Sequence, residues 1–290
     1  MQWYRVLDLD GRAIHRDKGQ WKLPEEGQPG EWMPPITGQL SPHGNGYDLY
    51  SIADLLDWLG PVIWKTDWRN KPLSRDYLRS GNKLIVREAR LLSRVTTWNE
   101  RTARLLAADC AEHVLPSFES AYPGIHGPRE ALVISRCYAD GNATQTELNI
   151  ASAKVWSFVG AVALLFGTSG HPPGRNALHP SEGALVATAW AVGSQDEHMN
   201  HALASLLGSQ ATCTPLHWYD WPRLASDWAC ATRARGSTMA SAATDMWRRE
   251  RDWQTGQLRT YLEPDDEGGE RDGDYVRTQS RFPGGAEDGG

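Results

Sequence analysis

Near residue 96 the period of the apolar residues changes, and no fold of a single structural class accommodates both halves of the chain. Upstream, Val62, Trp64, Thr66 and Trp68 alternate with Lys65 and Asp67, the two-residue repeat of a strand with one face buried. Downstream, Trp98, Thr102, Leu106, Cys110, Val114 and Phe118 recur every fourth residue, which draws one buried stripe along helical backbone. The predicted fold class is therefore an α+β N-terminal domain over residues 1–95, an all-α helical bundle over 96–262 and a disordered acidic tail over 263–290. A length of 290 residues agrees with two units, because one hydrophobic core stops growing at about 250–300 residues.

Within the first unit, Asp10-Gly11 separates two short extended runs and predicts a hairpin with a type I′ turn. Pro24, Pro29, Pro34 and Pro35, interleaved with glycines between Lys18 and Gly46, exclude a long helix and predict loops draped over a sheet. Ser51 and Asp54 form a capping-box pattern for a helix over 52–59, stopped by Gly60-Pro61. Lys83–Ala89 reads as a second half-buried strand. In the second unit, Thr97 with Glu100 predicts the N-cap of a long helix that ends at Pro123-Gly124. Further helices are expected from Pro128 to Asp140, from about 144 to 166, from 181 to 207 and from 222 to 261, the last interrupted at Gly236-Ser237.

The charge lies at one end. From Glu263 onward there are nine acids and three bases, which accounts for the whole formal charge of −6 and leaves the body neutral. A neutral body and an acidic end weigh against nucleic acid and against an anionic membrane surface, both of which need concentrated positive charge. The longest apolar stretch, Val155–Phe166, is about 12 residues, whereas a spanning helix needs roughly 20. Acids near the start replace the apolar run of a signal peptide, so a cytoplasmic location is expected. Cys110, Cys137, Cys213 and Cys230 lack zinc or redox spacing and read as reduced thiols.

Several runs carry a resemblance. Trp3-Tyr4-Arg5-Val6-Leu7-Asp8, Gly30-Glu31-Trp32-Met33-Pro34, Gly46-Tyr47-Asp48-Leu49, Asp57-Trp58-Leu59-Gly60-Pro61 and Lys83–Leu92 resemble a small domain of unknown function found in phage and prophage proteins. Trp98–Leu105, Cys110–Pro116 and Gly127–Ala131 resemble the opening of a helical family of immunity proteins, and Trp253–Leu262 is similar to the close of such proteins. The resemblance implies a phage or prophage context and a protein partner, and names no catalytic residue. Where the N-terminal family usually reads Gly, aromatic, His, aromatic, Cys, this chain has Gly46-Tyr47-Asp48-Leu49-Tyr50.

Among chemistry-bearing runs, Asp196-Glu197-His198-Met199-Asn200-His201 puts two histidines three apart on one helical face. A polar face explains them better than a metal, since no HExxH pattern accompanies them. Arg233-Ala234-Arg235 and Arg248-Arg249-Glu250-Arg251 read as solvated helix faces, because Asp245, Glu250 and Asp252 lie among them. Trp21, Trp32, Trp64, Trp68, Tyr47 and Tyr50 crowd the first unit; most should be core, with Trp32, between Gly30 and two prolines, the exposed member. Trp32, Tyr47, Asp48, Tyr50 and His15 are the expected partner-binding residues. The expected function is non-catalytic binding of a protein partner, with no cofactor and no metal. Two alternatives stay open: an enzyme using His15, His43 or Asp48 as acid or base, and a virion or assembly component.

Overall fold

The computed structural model describes residues 2–14, 19–25, 27–41, 44–70, 83–165, 179–193, 217–235 and 240–264. His15, His43, the His198–His201 run, Gly236 and the acidic residues after Pro264 lie outside them. The first unit holds β1 (Trp3–Leu7), β2 (Tyr47–Leu49), α1 (Ile52–Leu55), β3 (Val62–Arg69), β4 (Leu84–Val86) and β5 (Glu88–Arg94). The helices that follow are α2 (Glu100–Val114), α3 (Pro116–Ala121), α4 (Gly127–Ala139), α5 (Gln145–Leu165), α6 (Pro180–Ala191), α7 (Asp220–Arg235) and α8 (Ala240–Leu262). The α+β-then-helical order expected from the change of period is what the structure shows.

Strands β1, β3 and β5 form one antiparallel sheet in that order, with Trp3 opposite Thr66 and Thr66 opposite Leu91, and a bulge between Lys65 and Thr66. Strands β2 and β4 form a second antiparallel pair. Alternation along β1 sorts the side chains. Tyr4 and Val6 join Ile63, Val95 and the helices in one core, while Trp3 and Leu7 join Trp21, Met33, Leu49 and Leu91 in another. The three-stranded sheet is thus a middle layer between the helical bundle and a thin cover of loop and hairpin. Part of that cover runs along β5: the backbone N–H groups of Gly30, Met33 and Ile36 donate to the carbonyls of Leu91, Ala89 and Arg87, each at 2.9 Å. On the far side of the sheet, Tyr4 and Tyr50 exchange backbone hydrogen bonds of 2.9 and 2.8 Å.

Several local expectations are corrected. Only Gly11 takes a positive φ (82°) in the first turn, and Asp8 Oδ1 accepts from Asp10 N and Arg12 N; the connection is a wider, aspartate-closed turn and not type I′. The Ser51–Asp54 capping box is present, but α1 ends at Leu55. Lys83–Ala89 is no single strand: Arg87 divides β4 from β5, and the two pair in different sheets. The long helix begins later than expected, with Asn99 as its N-cap. Asn99 Oδ1 accepts from Thr102 N at 3.2 Å and Thr102 Oγ1 pairs with Asn99 N at 3.0 Å, so threonine fills the place expected of Glu100. Pro116 then splits that helix into α2 and α3. The buried stripe survives all of this, for Trp98, Thr102, Leu106, Cys110, Val114 and Phe118 are all 8% exposed or less.

In the bundle, α7 packs against α2, α6 and α8, and α2 also meets α4 and α6. Buried Arg104 on α2 places its guanidinium 4.3 Å from the Trp221 ring centre and 4.9 Å from that of Tyr138, and donates to Gly193 O at 3.0 Å. Outside this core, Arg136 on α4 bridges Asp109 and Glu112 of α2 at 2.6 Å each. Arg129 reaches Glu119 at 2.6 Å and Glu112 at 3.1 Å.

Candidate partner-binding site

The antiparallel register puts Asp67 opposite Arg90 and Arg69 opposite Glu88, and each pair closes an ion pair. Over these pairs lies Trp32. Its ring centre is 4.4 Å from the Arg69 guanidinium carbon and 4.6 Å from that of Arg90, so the indole is held by two cations that are themselves held by carboxylates. Trp32 is only half-buried, and a rigid, half-exposed tryptophan flanked by arginines is the composition of an interaction hot spot.

The other expected site residues lie apart from it. Tyr47 is half-buried against the second core, where it meets Trp21 edge-on at 5.3 Å and donates its hydroxyl to Pro34 O at 2.8 Å. Asp48 lies 3.2 Å from Lys83 Nζ, and its backbone carbonyl accepts from buried Arg5 at 2.8 Å. Tyr50 is 1% exposed and stacks on Trp58 at 5.5 Å; it is a core residue and presents no surface to a partner. His15 lies outside the described residues. Of the aromatics of the first unit, Trp21 and Tyr50 are buried and Trp32 is half-buried.

A second feature was invisible in the sequence. Helices α4 and α5 approach closely at Gly127, where an added Cβ would sit 2.6 Å from Phe158, and Gly127 also lines a groove of about 230 Å³ between them. Ala131, Ile134 and Ala151 line it, and Glu130, Glu147 and Lys154 also border it. Ile150, which borders the groove, is 63% exposed, and Val133 on α4 is 53% exposed. Glu147 is held below the usual carboxylate range by hydrogen bonds from Thr144 N and Oγ1, 2.7 and 2.8 Å, which also cap α5. An apolar trough with charged edges is the shape that receives an amphipathic helix. A pattern of helical period does not show which apolar positions a neighbouring helix leaves open, so the sequence carries no signal for it.

A buried polar cluster lies where α2, α7 and α8 meet. Glu250, 2% exposed, has His113 Nδ1 at 2.9 Å and Arg233 Nε at 3.3 Å, and it accepts from Gln254 Nε2 at 3.1 Å. The His113 ring, one-third exposed, stacks on Trp253 at 3.8 Å. Glu250 and Arg233 thus leave the solvated faces expected of them and tie three helices together. The nearby thiols do not complete a catalytic set: burial raises Cys110 and pushes Cys230 up to about 12, which keeps both protonated and unreactive near neutrality. No group of three or more metal-ligating side chains occurs among the described residues, and none of their helices is long and apolar enough to cross a membrane.

Comparison with known proteins locates a likeness on these helices. No curated protein and no solved structure matches the chain. The likeness of residues 1–95 to a phage domain gains no support from a family model. Residues 93–158, the stretch from the end of β5 through the groove-bearing part of α5, match the family described as Imm-5 like putative immunity protein.

Proposed function

We propose that this chain is an immunity-like protein that neutralises a polypeptide partner by binding it. The observation that carries the reading is the family match over 93–158, because that stretch contains the α4–α5 groove with exposed Ile150 at its border. In this reading the groove takes an apolar helix of the partner, and the Trp32 plate is a second contact on the sheet. A phage or prophage origin and action in the cytoplasm belong to the same proposal; the unpaired thiols of Cys110, Cys137 and Cys230 agree with a reducing compartment.

The test is co-expression with candidate toxins, beginning with any toxin gene found adjacent to this one. Growth should be restored by the wild type and lost again with Ile150→Asp, which places a charge at the mouth of an apolar groove without touching the core. Growth arrest that the wild type fails to relieve would remove the immunity reading, and full protection by Ile150→Asp would move the contact away from the groove.

A further inference from the structure

A polar cleft of about 370 Å³ opens where the sheet meets the end of α8. It is lined by Lys65 of β3 and Arg94 of β5, by Thr96 and Thr97 of the linker, and by Glu263 and Pro264 beyond α8. Neither Lys65 nor Arg94 has an ion-pair partner among the described residues. The carboxylate in the cleft is already engaged, since Glu263 accepts the Tyr4 hydroxyl and lies 4.0 Å from Arg259 Nε. Two basic residues and two threonines, beside a carboxylate already engaged elsewhere, make a seat for further carboxylates.

The chain itself delivers them. Thr97 Oγ1 donates to Leu262 O at 3.3 Å and Tyr4 holds Glu263, so Pro264 is tied to the cleft wall, and the next three residues are Asp265, Asp266 and Glu267. Three residues span at most about 10 Å, and a tether this short gives millimolar effective concentration. Six of the ten residues 265–274 are acidic and one is basic, whereas the body carries no net charge. We infer that the cleft is an anion seat for this chain's own Asp265–Glu267 segment, a salt-sensitive contact that keeps the seat closed to acidic segments of other proteins. The inference is independent of the immunity reading.

Zero-length carbodiimide coupling of the full chain tests it, because that reagent joins an ammonium to a carboxylate only where the two touch. Peptide mapping should find Lys65 linked to Asp265, Asp266 or Glu267, with the yield falling severalfold between about 0.05 and 0.5 M salt as the contact is screened. A labelled peptide with the sequence of residues 265–274 supplies the second readout, by fluorescence anisotropy. It should bind the full-length Asp265→Asn, Asp266→Asn, Glu267→Gln variant about tenfold more tightly than wild type, because the tethered competitor is gone. Adding Lys65→Ala and Arg94→Ala should abolish that binding while the melting point stays unchanged. Links spread evenly over Lys22, Lys65 and Lys154 would overturn the inference, as would equal binding of the peptide by wild type and the neutralised variant.

Discussion

Trp98 joins the sheet to the helices. It is 2% exposed, and its indole N–H donates to Gly60 O at 2.8 Å, across the boundary between sheet and helices. Gly60 is itself closely packed by the first unit, since a Cβ there would lie 2.3 Å from Ile14 and 2.5 Å from Val6. Trp98→Ala should cost about 3–5 kcal/mol in chemical denaturation, as other large-to-small core changes do. Trp32→Ala removes two exposed cation–ring contacts worth roughly 0.5–1 kcal/mol each, so its melting point should stay close to wild type. Equal losses for the two variants would show that Trp32 is no surface plate. That Trp98 anchors a stripe is legible from its spacing to Thr102 and Leu106. That its partner is a glycine carbonyl 38 residues upstream is not, because no local pattern encodes a long-range backbone acceptor. Tyr50 shows the opposite failure: the sequence groups it with the partner-binding residues, and only the pairing with Tyr4 reveals a core residue.

At the scale of elements, strongly periodic segments were readable and their ends were not. The box that starts α2 uses Asn99 and Thr102 where Thr97 and Glu100 offered an equally good pattern, and the choice falls to the linker, because Thr102 Oγ1 also contacts Thr97 O at 2.8 Å. Strands β4 and β5 read as one because both are apolar, and nothing in the run itself tells which sheet each half will join. The clamp of α4 onto α3 makes a measurable claim. The Arg129 guanidinium, hydrogen-bonded to Glu119, lowers the Glu119 carboxyl below its ordinary value. A lowered carboxyl stabilises the fold above the unfolded value of about 4.3, and that stabilisation disappears as pH falls through the lower folded value. The stability deficit of Glu119→Gln should therefore be largest near pH 7, begin to shrink as pH falls through the unfolded value and vanish only below the lowered folded one. A deficit that does not vary with pH would mean that the carboxylate charge contributes nothing there.

For the whole molecule, the division at residues 95 and 96 remains a proposal, and the seam indicates how it should behave. One core runs from Tyr4, Val6 and Ile63 through Trp98 into Leu106 and the helices, and Arg251 of α8 pairs with Asp57 beyond α1. A fragment 96–264 should keep its helical circular dichroism but melt well below the full chain, since it exposes one side of that core; a featureless melt would show that the helices do not form a unit. The edges of the middle sheet have a consequence for recognition. Many proteins capture a peptide by letting it join an open sheet as one more strand, but here the β5 edge is occupied by the Gly30–Ile36 run, and the Tyr4–Tyr50 bridge covers part of β1. The covering run carries Pro34 and Pro35, which have no backbone N–H to offer a newcomer. This sheet is a poor template for a foreign backbone, so an extended segment has little to read in it, and aggregation by stacking strands has little place to begin.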